Sequence, residues 1–298
     1  PRSDRDRQES ERHDDRRTAI HAVPPVRHVV SRARRLDTKP RLIPIPGLDL
    51  LRAIRRGHRP IWIDFAPVPR PRWGHGRPAH AALLRMLERE RSSYRERLAD
   101  VLVERERLAM IPPHGRPESG EPYWINGWLP GLDAAVLYGL VARRAPARYV
   151  EVGSGHSTRF AARAIRDHGL STRIVSFDPS PRASVKGLAH DIRSTRLEDL
   201  AAGELAAAVA PGDILFFDGS HRVFENSDVT VFFLEVLPSL PPGVLVQVHD
   251  ICLPYDYPPG WERRWYSEQY LLAAYLLGGG DGIRFILPNA YVSADPEL

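Results

Sequence analysis

The stretch YVEVGSGHST, residues 149–158, decides the fold class of this 298-residue chain, because an apolar strand pattern runs directly into a helical one. Gly153 and Gly155 let the backbone turn sharply and approach a ligand without a Cβ in the way. The helix that follows begins with free N–H groups that can bind a polar ligand group. We therefore expect a ligand site where this strand ends, as is typical of open α/β sheets.

Two residues of this turn narrow the choice of ligand. A dinucleotide fingerprint would have a third glycine where this chain has Thr158. The negative charge of Glu151 would not favour a pyrophosphate, which is also negative, whereas it favours a ligand with cationic groups. S-adenosylmethionine carries both a sulfonium and an ammonium, so the turn favours this cofactor over a dinucleotide.

A second acid follows at the end of the next predicted strand. Asp178 lies 23 residues after Gly155, in the sequence Phe177-Asp178-Pro179. An acid at this place in an α/β sheet can accept hydrogen bonds from both ribose hydroxyls of a nucleoside. The alternative interpretation is that Asp178 only caps the next helix and that Glu151 only pairs with an arginine.

Outward from the turn, short β-branched or aromatic runs alternate with helical stretches. This alternation predicts a Rossmann-like, doubly wound and mostly parallel sheet with helices on both faces. The predicted strands cover 148–152, 173–178, 213–218 and 244–249, with a weak one near Ile192. The predicted helices cover 132–144, 157–168, 225–237 and 268–277. Two further short strands, at 284–287 and 290–293, are expected to form an antiparallel edge.

The N-terminal part of the chain predicts an extension of helical and irregular structure. Residues 1–60 hold 16 Lys and Arg against 8 Asp and Glu. We expect a disordered basic tail over 1–19, because its mixed charges bury too little surface to offset the entropy of ordering. Residues 20–121 are expected to form a proline-rich segment and a long amphipathic helix, about 78–110, that packs on the core. Residues 122–298 would form the main domain.

Composition excludes several classes of protein. The chain is 43% hydrophobic and 27% charged, which excludes a wholly disordered or fibrous protein. Cys252 is the only cysteine, so neither an intrachain disulfide nor a zinc site built from several cysteines can form. No apolar run reaches the roughly 18 residues that a membrane span needs, and we expect a cytoplasmic protein.

The residues around the turn resemble the class I S-adenosylmethionine-dependent methyltransferases, over about 122–293. Residues 151–155 look like the first motif of that family, Asp178 like its ribose-binding acid, and 197–199 lie where the family contacts adenine. The resemblance implies S-adenosyl-L-methionine as cofactor. The cofactor-binding residues that it implies are Glu151, Gly153, Ser154, Gly155, Ser157, Asp178, Glu198 and Asp218.

The second half of the domain is similar to one branch of that family, which includes the macrolide-sugar O-methyltransferases. The similarity lies in DILFFDGSH at 213–221, LPSLPPG at 237–243 and the pair His249-Asp250. In that branch the Asp of an Asp-Gly-x-His turn and an acidic pair after the fifth strand bind magnesium, and the His is the proposed base. The resemblance thus implies Asp218 and Asp250 as metal ligands and His221 as the catalytic base.

The chain departs from this branch at His249, which replaces a carboxylate. Magnesium prefers oxygen ligands, so the replacement weakens the magnesium interpretation. Three alternatives remain: weak magnesium binding, a metal such as manganese, zinc or iron held by Asp218, His249 and Asp250, or a metal-free site with His221 and His249 as acid–base groups. The structural alternative is that His249 is a hydrogen-bonded core residue and that His221 only forms part of a turn.

The sequence predicts an enzyme that methylates a hydroxyl of a small molecule, sugar or glycoconjugate. A proline-rich aromatic loop at 251–261 is expected over the acceptor side. The aromatic residues Trp261, Trp265, Tyr266 and Tyr270 would form an apolar wall for the acceptor or, equally, pack in the core. The alternatives are a nucleotide-dependent oxidoreductase or epimerase, disfavoured by Thr158 and Glu151, and a nucleic-acid-binding protein using the arginine-rich tail. The sequence does not indicate an oligomeric state.

Overall fold

In this computed structural model, the described residues are 51, 54, 55, 61, 64, 65, 67–280 and 282–298. The chain divides into two units, residues 1–68 and residues 69–298. The predicted basic tail over 1–19, and most of the predicted proline-rich segment, lie outside the described residues. All that follows concerns the second unit.

Five parallel strands form one sheet in the part of the chain that the structure describes. They are β1 (Arg148–Val152), β2 (Arg173–Phe177), β3 (Asp191–Arg193), β4 (Ile214–Phe217) and β5 (Leu245–Val248). Their order is β3-β2-β1-β4-β5, so the sheet is wound outward in both directions from β1. The Rossmann-like prediction is confirmed, and each of the five strands predicted for the parallel sheet appears within one residue of its expected position.

The pleat of β1 separates the two faces of the core. Tyr149 is buried with Phe160 of the helix that follows β1, whereas Val150 is buried with Phe232 of the helix that follows β4. Successive residues of a strand point to opposite faces, so both faces need an apolar cover. This is the physical reason for the near-continuous apolar runs in the strands.

Helices connect the strands as the sequence predicts. They are α4 (Gly131–Arg144), α5 (His156–His168), α6 (Ala183–Lys186), α7 (Glu204–Ala207), α8 (Asp228–Val231, continuing through a π-helical segment at Phe232–Val236 and a last turn at Leu237–Ser239) and α9 (Glu268–Leu277). Single turns of 3-10 helix lie at Leu197–Asp199 and Glu262–Arg264. No helix among the described residues is both long and apolar enough to cross a membrane.

The single long helix expected over about 78–110 is instead three helices. They are α1 (Ala81–Glu88), α2 (Arg91–Leu102) and α3 (Arg105–Ala109). At the first break, the carbonyl of Leu87 accepts hydrogen bonds from the N–H of Glu90 and from the hydroxyl of Tyr94. This side-chain contact satisfies a carbonyl at a helix end, and helical periodicity does not reveal it. Val101 and Leu108 are buried in the core that covers α4.

The predicted antiparallel edge at 284–287 and 290–293 is wrong. Residues 284–287 form no strand, and the second stretch lies in helix α10 (Asn289–Ala294). The neighbours Tyr291 and Val292 are both buried in one cluster with Leu87 and Tyr94. A strand would direct two consecutive side chains to opposite faces, so this packing requires a helix.

Candidate active site

A cavity of about 580 Å³ lies at the carboxyl ends of β1, β4 and β5. Open α/β sheets bind their ligands at this edge, near the point where the strand order reverses. The lining comes from four segments of the chain, two single residues and a group of three residues before α9. These are 124–131, Gly153 with Ser154, 218–222, His249 with Asp250, Asp178, Arg182, and the group Trp261, Arg264 and Tyr266.

The glycine turn brings β1 against the end of β4. Gly153 has φ +80°, and a Cβ at this position would collide with the backbone carbonyl of Asp218. The N–H of Gly153 donates to the carbonyl of Phe177 at 2.9 Å. Only glycine combines this conformation with so close an approach of two backbones. The turn therefore places the end of β1 directly beside Asp218.

Asp178 is held at the cavity wall by backbone and hydroxyl donors. Its Oδ2 accepts from the N–H of Ser154 at 2.9 Å and from the hydroxyl of Ser154 at 2.5 Å. Its Oδ1 accepts from the N–H of Ser180 at 2.8 Å. The carboxylate is half-buried and lines the cavity, so acceptor capacity remains on the cavity side. The alternative interpretation of Asp178 as a helix cap does not apply, because α6 begins five residues later.

Glu151 does not face the cavity. Its carboxylate is fully buried, where it accepts hydrogen bonds from Tyr149 Oη at 3.2 Å, Ser157 Oγ at 3.0 Å and Thr158 Oγ1 at 2.6 Å. Burial raises the pKa of Glu151 to about 7, and the hydroxyl donors oppose that shift. The carboxylate ties β1 to the first turn of α5, and neither it nor Ser157 reaches the cavity. Among the described residues it forms no ion pair with an arginine.

Two other predicted cofactor residues lie outside the cavity lining. Gly155 donates its N–H to Thr158 Oγ1 at 3.0 Å and forms the entry to α5. Glu198, expected beside adenine, lies in a 3-10 turn and pairs loosely with Arg196 at 4.0 Å. The structure brings Gly153, Ser154, Asp178 and Asp218 together, but not Glu151, Gly155, Ser157 or Glu198.

The loop before α4 forms the wall opposite the glycine turn, and Asn126 organises it. The side-chain amide of Asn126 donates to the carbonyl of Tyr123 at 3.0 Å and to that of Trp124 at 3.2 Å. Its side-chain oxygen accepts from the N–H groups of Trp128 and Leu129 at 2.9 and 2.8 Å. One half-buried amide thus fixes the conformation of this cavity wall.

Asp218, His221, His249 and Asp250 converge beyond the glycine turn, as the adjacency of β4 and β5 predicts. Asp218 Oδ1 is 3.2 Å from both His221 Nε2 and His249 Nδ1. Asp250 is more distant, with one carboxylate oxygen 3.6 Å from each imidazole. The imidazoles and Asp250 are almost fully buried, whereas Asp218 retains 38% of its side-chain exposure. Asp218 is therefore the member of the cluster most accessible from the cavity.

Glu268 is a fifth member of the cluster that the sequence analysis missed. Its Oε2 lies 2.7 Å from His221 Nδ1, and its side chain is completely buried. The carbonyl of His221 accepts from the N–H of Ser267 at 2.8 Å, which holds the start of α9 against the turn after β4. An acid in the first turn of a helix normally indicates only a favourable dipole interaction. The tertiary contact alone reveals that Glu268 orients His221.

The cluster shifts the proton affinities of its members. Burial lowers the pKa of His221, but the hydrogen bonds to Asp218 and Glu268 outweigh burial and raise it to about 10. The pKa of His249 is likewise raised, by Asp218 and Asp250 against burial. Burial raises the pKa of Asp218, but hydrogen bonds from both imidazoles lower it overall. Burial raises the pKa of Asp250.

Two members of the cluster have left-handed backbone conformations. His221 has φ +60° and Asp250 has φ +53°. Such conformations cost non-glycine residues about 1 to 3 kcal/mol and concentrate at functional sites. The structure retains them at the two strand ends, where they aim both side chains into one cluster.

The donor set of the cluster suits a metal such as manganese, zinc or iron better than magnesium. Ligand atoms of Asp218, His221 and His249 lie within 4.8 Å of one another. His249 Nε2 is buried without a hydrogen-bond partner. Two imidazoles with one carboxylate match the preference of a borderline metal, whereas magnesium prefers oxygen. This set contains His221, the expected base, where the sequence analysis expected Asp250.

The expected aromatic wall divides between two cavities. Trp261 and Tyr266 line the first cavity, and the ring of Tyr266 lies 4.5 Å from that of His221. Tyr270 instead lines a second, smaller cavity, where its hydroxyl donates to Asp256 at 2.9 Å. Trp265 is exposed and lines neither.

The sequence of this chain is similar to a known family over the segment that carries the strand ends. Residues 150–251 match a family described as a methyltransferase domain, which corresponds to 102 of the 298 residues. The match runs from β1 to the turn after β5 and includes Gly153, Asp178, Asp218, His221 and Asp250. It supports a methyltransferase domain over these residues.

Comparison with whole proteins adds little to this match. No curated protein is significantly similar to the chain. Among solved structures, the chain is similar to the crystal structure of the SAH-bound Podospora anserina methyltransferase PaMTH1. The TM-score is 0.36 at 18% sequence identity, and the alignment covers 49% of this chain and 68% of that chain.

Proposed function

We propose that this protein is an S-adenosylmethionine-dependent O-methyltransferase acting on a hydroxyl of a small molecule, sugar or glycoconjugate. One observation carries the proposal. A single cavity joins the glycine turn and Asp178, at one end, to the imidazole and carboxylate cluster at the other. A nucleoside donor held at the first end would extend its methyl group toward the second.

The donor end fits the cofactor. Asp178 would accept the ribose hydroxyls, because its carboxylate lines the cavity with unused acceptor capacity. Gly153 and Ser154 would contact the methionine part across the turn. S-adenosylmethionine supplies an activated methyl group when it is bound. Glu151 would act indirectly, because its hydrogen bonds hold the turn rather than the ligand.

His221 is the proposed catalytic base. Glu268 holds its Nδ1, which leaves Nε2 beside Asp218 and Asp250 at the cavity. An acceptor hydroxyl at Nε2 would lose its proton to the imidazole as its oxygen bonds to the methyl carbon in line, while the bond from that carbon to the sulfonium sulfur breaks and leaves S-adenosylhomocysteine. Because His221 is protonated below its raised pKa, the reaction should be faster in alkaline solution.

A divalent metal would occupy the same cluster. Asp218 and His249 would be ligands in either arrangement, together with Asp250 or with His221. The metal would supply positive charge that lowers the pKa of the acceptor hydroxyl. If His221 were a ligand through Nε2, it would be unavailable as a base. The metal and base roles of His221 are therefore mutually exclusive.

Cofactor binding and methyl transfer test this proposal separately. We expect S-adenosylhomocysteine to raise the melting temperature, and NAD to leave it unchanged, because ligands that bind the folded state stabilise it. Incubation with methyl-labelled cofactor and a metabolite extract should yield a labelled methyl ether. Stabilisation by NAD alone would contradict the proposal and favour an oxidoreductase or epimerase.

A chelator control separates the alternatives at the cluster. If a metal takes part, chelation should abolish turnover and added divalent ion should restore it, with His249→Ala raising the ion concentration required. A rate that is insensitive to chelation, with His221→Ala and His249→Ala equally damaged, would instead indicate metal-free acid–base chemistry.

A further inference from the structure

Two arginines form the cavity wall next to His221. Arg264 lies in the turn between β5 and α9, and Arg222 directly follows His221. Both are half-buried and both line the cavity. Neither was singled out by any sequence motif, because isolated arginines are common in this chain.

The guanidinium of Arg264 is fixed by aromatic rings. It lies over the ring of Trp261 at 4.2 Å and over that of Tyr266 at 5.5 Å, and Nη1 donates to Tyr266 Oη at 3.2 Å. Stacking occupies the faces of a guanidinium and leaves its in-plane N–H donors free. Arg264 is therefore preorganised to donate hydrogen bonds at its edge.

Arg222 is held beside Arg264 by backbone carbonyls rather than by acids. Its Nε donates to the carbonyl of Arg264 at 3.0 Å, and its Nη1 to that of Ser220 at 3.0 Å. Carbonyl oxygens orient a guanidinium without neutralising its charge. The guanidinium carbons of Arg222 and Arg264 lie 5.3 and 5.5 Å from the ring of Tyr266, so two positive charges lie near one aromatic ring of the cavity lining.

No carboxylate among the described residues forms an ion pair with Arg222 or Arg264. Burial raises the pKa of Asp250 and the charge of Arg264 opposes this shift only weakly, and the closest ionic contacts of Asp250 are with the two histidines. Half-buried charges without a partner are unfavourable, and an anionic ligand would relieve the cost. The two arginines of this wall therefore have the positive charge of an ion pair and, in the part of the chain that the structure describes, lack its negative partner.

We propose that the acceptor carries an anionic group, a carboxylate, phosphate or sulfate, that binds to Arg264 and Arg222 while its hydroxyl lies at His221. This inference rests on the proposed methyltransferase function and adds a substrate class to it. The ring contact of 4.5 Å between Tyr266 and His221 joins the arginine wall to the proposed base. Bidentate hydrogen bonds to a planar or tetrahedral anion would fix the hydroxyl in position.

The carboxylate of a bound cofactor would lie near another arginine, Arg182, and not near Arg264 and Arg222. Arg182 lies at the glycine turn, where its Nη1 would be 3.2 Å from a Cβ at Gly155. Its guanidinium lies over Trp128 at 5.7 Å on the same side of the cavity. Arg182 is therefore placed at the donor end, and Arg264 and Arg222 at the acceptor end.

The test measures anion binding to wild type and to Arg264→Gln, with Arg263→Gln as matched control. Arg263 is the exposed neighbour in the same turn and does not line the cavity. The probes are inorganic phosphate, sulfate and 4-hydroxybenzoate, with neutral 4-hydroxybenzamide as the shape control. Calorimetry is done with and without S-adenosylhomocysteine, and the preferred probe identifies the type of anion.

We expect at least one anion to bind about tenfold more weakly to Arg264→Gln than to wild type or Arg263→Gln, the scale of a lost charged hydrogen bond. The affinity for neutral 4-hydroxybenzamide should be the same in wild type, Arg264→Gln and Arg263→Gln. Arg264→Lys and Arg222→Gln, which disturb the aromatic stack differently, should give intermediate losses. Melting temperatures show which variants remain folded.

Two results would overturn the inference. One is that no anion binds wild type more tightly than Arg264→Gln. The other is that S-adenosylhomocysteine affinity falls in Arg264→Gln as much as anion affinity does, which would assign the arginine to the cofactor. Failure of wild type to bind S-adenosylhomocysteine would instead contradict the proposed function, while the anion titrations without cofactor would still be decisive for the arginine wall.

Discussion

The two ends of the cavity are built in opposite ways. At the donor end, Asp178 on the cavity wall and Glu151 behind the glycine turn accept hydrogen bonds from hydroxyls and backbone N–H groups. At the acceptor end, acids and imidazoles from three separated segments contact one another directly. Uncharged hydrogen-bond donors satisfy the carboxylates near the donor end, whereas the carboxylates and imidazoles of the acceptor end interact with one another as charged groups.

This difference suggests that the donor end binds the cofactor and that the acceptor end carries out the chemical step. Local neutral donors give a rigid turn whose properties change little with the ligand. Coupled acids and imidazoles shift one another's pKa, which is the usual way in which a site acquires an acid or base. We therefore expect changes at the donor end to alter affinity and stability, and changes at the acceptor end to alter turnover.

The largest expected effect is on turnover in His221→Ala. Loss of a general base should lower kcat by roughly 10²- to 10⁴-fold, with S-adenosylhomocysteine affinity unchanged. The measurement is methyl transfer with the acceptor identified by labelling, and His114→Ala, an exposed histidine, is the control. Near-normal turnover in His221→Ala would remove this residue as the base.

The pH profile of wild type sharpens the same assignment. A base works when it is unprotonated, and the pKa of His221 is raised to about 10. In metal-free buffer, kcat/KM should therefore climb with pH from neutrality and level off near pH 10. A profile that levels off near the ordinary histidine pKa of about 6.5 would mean that Glu268 and Asp218 do not control His221.

The next largest effect is the change in unfolding free energy with pH that the buried carboxyl of Glu151 causes. Its folded-state pKa of about 7 lies above the ordinary 4.5, so the native state binds the proton more tightly than the unfolded state. The unfolding free energy of wild type relative to Glu151→Gln should therefore fall by about 3 kcal/mol as pH rises from 4.5 to 7, and stay constant above. Urea unfolding at a series of pH values measures the difference. A pH-independent difference would show that Glu151 ionises normally.

The donor end could be predicted from the sequence more fully than the acceptor end. The strand, the turn and Asp178 follow from local pattern, because glycine spacing and strand ends are sequence properties. The convergence of Asp218, His221 and His249 follows from the adjacency of β4 and β5. Local pattern also misled, since Glu151 has the expected position but turns its carboxylate into the protein.

The rest of the acceptor end depends on tertiary contacts that no pattern reveals. Glu268 reaches His221 only because the backbone of α9 is hydrogen-bonded to the turn after β4. Arg264 becomes a cavity residue only through its stacking on Trp261 and Tyr266.

The smallest expected effect concerns the close approach at the glycine turn. Gly153→Ala should lower the unfolding free energy by about 2 kcal/mol more than Gly169→Ala. Both glycines have positive φ, but a Cβ at Gly169 meets open space, whereas one at Gly153 meets the carbonyl of Asp218. Chemical denaturation of the two variants isolates the collision. Equal losses of unfolding free energy would mean that the backbones at the ends of β1 and β4 move apart without cost when a Cβ is added.

The most direct test of the division between the two ends is one set of calorimetric titrations with S-adenosylhomocysteine. We predict that Asp178→Ala weakens binding by about 1.5 to 3 kcal/mol, the scale of charge-assisted hydrogen bonds lost from a half-buried site. His221→Ala, and the exposed-site control Glu235→Ala, should bind as wild type does. Unchanged affinity in a folded Asp178→Ala protein, or an equal loss in His221→Ala, would contradict the account.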